Sequence, residues 1–92
     1  MTLTWPPKDP DEILDFSIDW SARLDGDTIS TVTWANATPA GLTRTAQQTS
    51  GAVTTAFFSG GTEGETYFVT CTIDTAGGRR MQETAKLKIK SR

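Results

Sequence analysis

The sequence predicts an all-β chain, an immunoglobulin-like antiparallel sandwich of about six or seven strands. Three observations carry that prediction. From Gly64 to Ile73, the residues Tyr67, Val69, Cys71 and Ile73 fall on one face of an extended segment, while Phe68, Thr70 and Thr72 fall on the other. That is the period-two pattern of a half-buried strand. Tyr67, just after a glycine-rich corner, holds the place of the tyrosine whose hydroxyl binds nearby backbone at the corner of such sandwiches. Composition is the third observation: threonine makes up nearly one residue in five, and its β-branched side chain suits a pleated, half-exposed surface. The 92 residues fit one domain with one core.

Residues 1–10 read as an extended leader, because Pro6, Pro7 and Pro10 remove donors and fix φ, and the sandwich is expected to span 11–92. On that reading, removing residues 1–7 leaves the sandwich folded but weakens assembly, whereas loss of cooperative unfolding would place Trp5 in the core. The first strand runs through Leu14, Phe16, Ile18 and Trp20, with Asp15, Ser17 and Asp19 on the other face. Asp25-Gly26-Asp27 makes a turn into a second strand from about Thr28 to Trp34. There Ile29 is out of phase with Val32 and Trp34, which a bulge near the strand start would reconcile. Ala35 to Gly41 is a loop. Leu42 to Gln48, with one large apolar residue, is a weak strand placed at a sheet edge. Ser50-Gly51 turns the chain into Ala52 to Phe58, with Phe58 facing in and Phe57 out. Thr75 to Gly78 closes a hairpin. The last strand, Met81 to Lys90, buries Ala85, Leu87 and Ile89 and shows Lys86, Lys88 and Lys90 to water, where a lysine row also discourages edge-to-edge aggregation. No internal repeat and no amphipathic helix is expected.

The chain contains no histidine, so it lacks the commonest general base and every triad built on imidazole. Asp15 with Asp19 and Asp25 with Asp27 are paired carboxylates, but an exposed strand face and a hairpin keep such acids solvated, and no enzyme activity or catalytic residue is expected. Asp25-Gly26-Asp27-Thr28 with Asp9 or Asp11 could offer oxygens to Ca²⁺ but lacks the longer pattern of a calcium loop, and Asp-Gly is an ordinary turn. Ser59 to Gly64 lacks the ending of a phosphate loop. No metal or other cofactor is expected. Cys71, the sole cysteine, lies on an apolar strand face and reads as a core residue. Met1 to Pro10 shows no secretory pattern, nothing approaches a membrane span, and Asn36-Ala37-Thr38 reads as a chance glycosylation match.

A net charge of −2 hides a polarity along the chain. Residues 1–27 set seven acids against Lys8 and Arg23, a balance of −5; residues 79–92 set six bases against Glu83, a balance of +5. Neighbouring first and last strands would make this neutralisation within one molecule. The alternative is attraction between copies or to an oppositely charged partner. The acidic total does not fit a nucleic-acid binder. Reversing Lys86, Lys88 and Lys90 would change stability under the first reading and association under the second.

Trp20 and Trp34 lie in apolar strand patterns, and one of them fills the place of the buried sandwich tryptophan. Trp5 stands among prolines, and either covers the sandwich end or anchors another chain. Phe57 and Phe68, both outward, would form one exposed patch if their strands are neighbours. The candidate partner surface is therefore Trp5, Phe57, Phe68, Lys86, Lys88 and Lys90.

Lys8 to Phe16, Ile18-Asp19-Trp20, Gly26-Asp27-Thr28-Ile29, Phe58 to Gly64 with Tyr67, and Thr75-Ala76-Gly77-Gly78-Arg79 together resemble the phage fiber-tail adaptors, small proteins of tailed phages and prophages. The resemblance runs from Lys8 to about Ile89. It implies an immunoglobulin-like virion structural protein, made in the cytoplasm of an infected bacterium. Its partners would be tail or fiber subunits, or its own copies in a symmetric assembly, with no nucleic acid or membrane among them. The alternatives are a capsid decoration or head-completion protein and, from another class, a carbohydrate-binding adhesion module.

Overall fold

The computed structural model describes residues 2–91. Seven strands form, β1 (Thr2–Thr4), β2 (Leu14–Asp19), β3 (Ile29–Trp34), β4 (Leu42–Ser50), β5 (Val53–Gly60), β6 (Thr66–Thr75) and β7 (Arg80–Lys88), with one helical turn, α1 (Ser21–Leu24). They make a four-stranded sheet in the order β1-β7-β6-β3 and a three-stranded sheet in the order β2-β5-β4. All pairings are antiparallel except β1 with β7, which runs parallel. The expected sandwich of six or seven strands is therefore present.

Alternation sets the core. Phe16 and Ile18 of β2, Ala56 and Phe58 of β5, Tyr67, Val69, Cys71 and Ile73 of β6, and Ala85 and Leu87 of β7 all point between the sheets. Trp34 fills the tryptophan position on β3, facing Cys71 across the β3–β6 ladder. The expected irregularity in β3 occurs between Ile29 and Thr31. At the corner the Thr62 N–H donates to the Tyr67 hydroxyl at 2.9 Å, the bond the sequence leads one to expect. Gly41 lets that ring in: it has φ +128°, and a Cβ there would lie 2.8 Å from the Tyr67 oxygen. Trp20 donates from Nε1 to Thr54 Oγ1 at 2.9 Å, which gives a buried indole its partner. Cys71 lies 3.8 Å from the same hydroxyl, and burial pushes its thiol up to about 11, so it behaves as an inert core residue.

Four expectations are corrected. Residues 2–8 are not a leader lying outside the sandwich. Thr2–Thr4 pairs with β7, and past the ladder the Trp5 N–H donates to the Lys86 carbonyl, the Lys8 N–H to the Lys88 carbonyl and the Lys90 N–H to the Lys8 carbonyl. Prolines are compatible with this because they interrupt an edge, where a missing donor costs little. Second, residues 21–24 coil into a turn of helix that buries Leu24, a position with no alternation to reveal it. Third, β7 is an interior strand with β1 on its outer side, so its lysines do not guard an edge. Fourth, Phe57 and Phe68 belong to different sheets and form no common patch.

Candidate interaction surfaces

The candidate residues divide three ways. Trp5 is only 7% exposed and sits at the centre of an aromatic cluster. Its ring stacks on Phe16 at 5.0 Å and lies 5.8 Å from Phe58 and 6.4 Å from Trp34, in the offset and tilted geometries that aromatic pairs favour. Its Nε1 donates to the Ser17 carbonyl at 3.1 Å. Trp5 therefore closes the sandwich rather than presenting itself to another chain. Phe57 faces out from β5, half-buried, directly across from Asp15. Phe68 faces out from β6, 44% exposed, directly across from Lys86; Lys88 and Lys90 are also exposed.

Lys8 escaped the sequence reading. It is fully buried, and its Nζ donates to the Gly60 carbonyl at 2.7 Å and the Asp9 carbonyl at 2.9 Å. Burial lowers its pKa, while Glu12, Asp9 and Asp11 oppose the shift. The ammonium ties residues 8–9 to the end of β5, so it clamps the β1 side of the sandwich to the other sheet. Nothing in the pattern around Lys8 distinguishes it from a solvated lysine.

The acidic turn is likewise structural. Asp27 Oδ1 accepts from the Gly77 N–H at 3.0 Å and the Thr28 N–H at 2.8 Å, and its Oδ2 lies 3.3 Å from Arg79. A Cβ on Gly77 would come within 2.7 Å of the carboxylate. Hydrogen bonds from the Thr75 side chain, then from the Thr28 and Gly77 backbone and Arg79, hold this carboxyl at about 2. These donors occupy the oxygens that a cation would need. Among the described residues, no three His, Cys, Asp or Glu side chains cluster as a metal site would.

Three ion pairs gather at the end of the sandwich near α1. Arg23 pairs with Glu83, Arg79 with Asp27 and Arg80 with Asp74. Among the described residues, Asp15, Lys86, Lys88 and Lys90 join no ion pair.

The long side formed by β3 and β4 differs from all of this. From Thr28 to Thr62 the one charged residue is Arg44, and its guanidinium turns inward to the Trp34 carbonyl at 2.9 Å. β4 is a nine-residue strand paired only on its β5 side, and every residue from Thr45 to Ser50 is exposed. The Ser50–Val53 pair closes a two-residue turn, so antiparallel alternation directs the N–H and C=O of Gln47 and Thr49 away from β5, into solvent. Edge placement of this strand was legible in the sequence. Its importance was not, because what is unpartnered here is backbone.

The model of the family described as podophage GP4 fiber-tail adaptor protein gp77 matches residues 8–88. The chain belongs to this family. No curated protein matches it. Membership carries a phage fiber-tail adaptor structural role, and hence a place in the virion and binding to other phage tail or fiber proteins. The match begins at Lys8, the residue that clamps the adaptor's first segment to its second sheet.

Proposed function

We propose that this adaptor works by protein binding alone, and that β4 accepts an extended segment of a neighbouring tail or fiber protein as an added strand. The observation that carries this reading is the unpartnered edge of β4, with outward backbone groups at Gln47 and Thr49 and no charge along it except the inward Arg44. Strand addition draws affinity from main-chain hydrogen bonds and needs an edge clear of the charges, prolines and covering loops that normally protect one. The other edges are less open. β2 has Trp5 against its Ser17 carbonyl, β1 is three residues long, and the ladder of β3 is broken by an irregularity.

A carbohydrate-binding module would stack sugars on exposed tryptophan or tyrosine, whereas Trp5, Trp20, Trp34 and Tyr67 are all buried. A head-decoration role would use the same fold and is separated by location. Antibody labelling of intact particles is expected to mark the fiber–tail junction, with the Gln47→Pro protein failing to incorporate while remaining folded. Label over the heads, or normal incorporation of Gln47→Pro, would overturn the reading.

A further inference from the structure

The two outer faces of the sandwich carry opposite charge. On the three-stranded sheet, the outward residues of β2 are Asp15, Ser17 and Asp19, and those of β5 include Phe57; β4 contributes no outward charge, because Arg44 points in. On the four-stranded sheet, Lys86 and Lys88 of β7 and the adjoining Lys90 project outward beside Phe68, while the Arg80 and Asp74 charges on that face pair with each other. Each face is built on the same plan: an aromatic ring stands directly across a ladder from a charge, Phe57 from Asp15 and Phe68 from Lys86. The described residues hold two large, exposed apolar side chains, Phe68 and Ile13 at 64%; the first lies on the basic face and the second leads into the acidic strand.

We propose that copies of the adaptor stack face to face, the acidic face of one upon the basic face of the next. The occupant of each face is a second copy because the two faces complement each other in sign and not themselves. Asp15 and Asp19 of one copy would meet the lysine row of the next, with Phe57 and Phe68 in between. Among the described residues the lysines pair with no acid, and they do not line an edge, which leaves their charge available to another copy. Such a contact is heterologous, so it propagates into a ring or an open stack rather than closing as a dimer. Sheet faces of this size give a contact in the weak range below roughly 1,200 Å². It gains strength where a symmetric virion supplies many copies. This is independent of strand addition at β4, which uses a different side of the molecule.

The test is sedimentation velocity of the full chain at concentrations up to about 1 mM, in about 20 mM and about 0.5 M salt. At low salt the weight-average sedimentation coefficient is expected to rise with concentration, and high salt is expected to abolish the rise. Asp15→Lys, alone or with Asp19→Lys, and separately the triple reversal K86E/K88E/K90E, should each weaken association at least about tenfold with thermal unfolding still cooperative. An equimolar mixture of the two reversed proteins should associate again, because each then offers the other a complementary face. A wild-type chain that stays monomeric at low salt, association that survives either reversal, or a mixture that fails to recover would overturn the proposal.

Discussion

The two long sides of this sandwich solve the same problem in opposite ways. On the β1/β2 side, Trp5 plugs the gap between the sheets and Lys8 pins the segment after β1 to the end of β5, using a buried ring and a buried ammonium to seal the edge. On the β3/β4 side, Arg44 crosses to the Trp34 carbonyl, but β4 itself stays bare along its outer edge. An exposed edge is an aggregation hazard that folded proteins usually blunt. A chain that seals one side with a tryptophan and leaves the six residues Thr45 to Ser50 open on the other has an edge available for pairing in an assembly.

The largest effect should come from breaking the sealed side. Trp5→Ala is expected to cost about 3–5 kcal/mol, the range for truncating a large aromatic in a packed core. Deleting residues 2–7 should remove cooperative unfolding altogether, which calorimetry would detect. This reverses the sequence-based expectation that the segment is dispensable; a truncated chain that melts like the intact one would return Trp5 to the surface.

A smaller loss is expected at the corner. Tyr67→Phe removes the acceptor for the Thr62 N–H and should cost about 1 kcal/mol in denaturant titration. Acid pH tests the clasp at the sandwich end. The folded-state pKa of Asp27 is about 2 against an ordinary 3.8, so its stabilising contribution is present above about pH 3.8 and is lost as pH falls toward 2. Asp27→Asn should therefore lower stability at neutral pH and flatten the acid limb of the stability profile; an unchanged limb would mean that other carboxylates set it. The smallest stability effect belongs to the open side. Gln47→Pro breaks no ladder bond and should shift stability by about 1 kcal/mol or less, while abolishing incorporation into tails.

How much of this was legible follows from where the information lies. Alternation exposed the core of β2, β6 and β7, because a half-buried strand writes its facing into every second residue, while the inward Phe58 and the Tyr67 corner came from analogy with other sandwiches. The same logic was silent on residues 2–8. Three prolines mask an edge strand, and Lys8 carries a charge that normally means solvent, whereas here two carbonyls satisfy it. Pairing Phe57 with Phe68 failed because facing is local but sheet membership is not: β5 and β6 are consecutive yet cross between sheets at the Gly60 to Gly64 corner. The β4 edge was recognised as an edge from its lack of large apolar residues. Backbone availability depends on which strands flank it, which no residue of β4 encodes.

The measurement that bears most directly on the bare edge is amide hydrogen exchange of the β4 segment, in the free adaptor and in purified tails. Gln47 and Thr49, whose N–H groups face solvent, are predicted to exchange rapidly in the free protein and to become protected on assembly, with the amides of the central strand β5 slow in both. Rapid exchange at Gln47 and Thr49 in assembled tails would contradict the claim that this edge joins the adaptor to its neighbour.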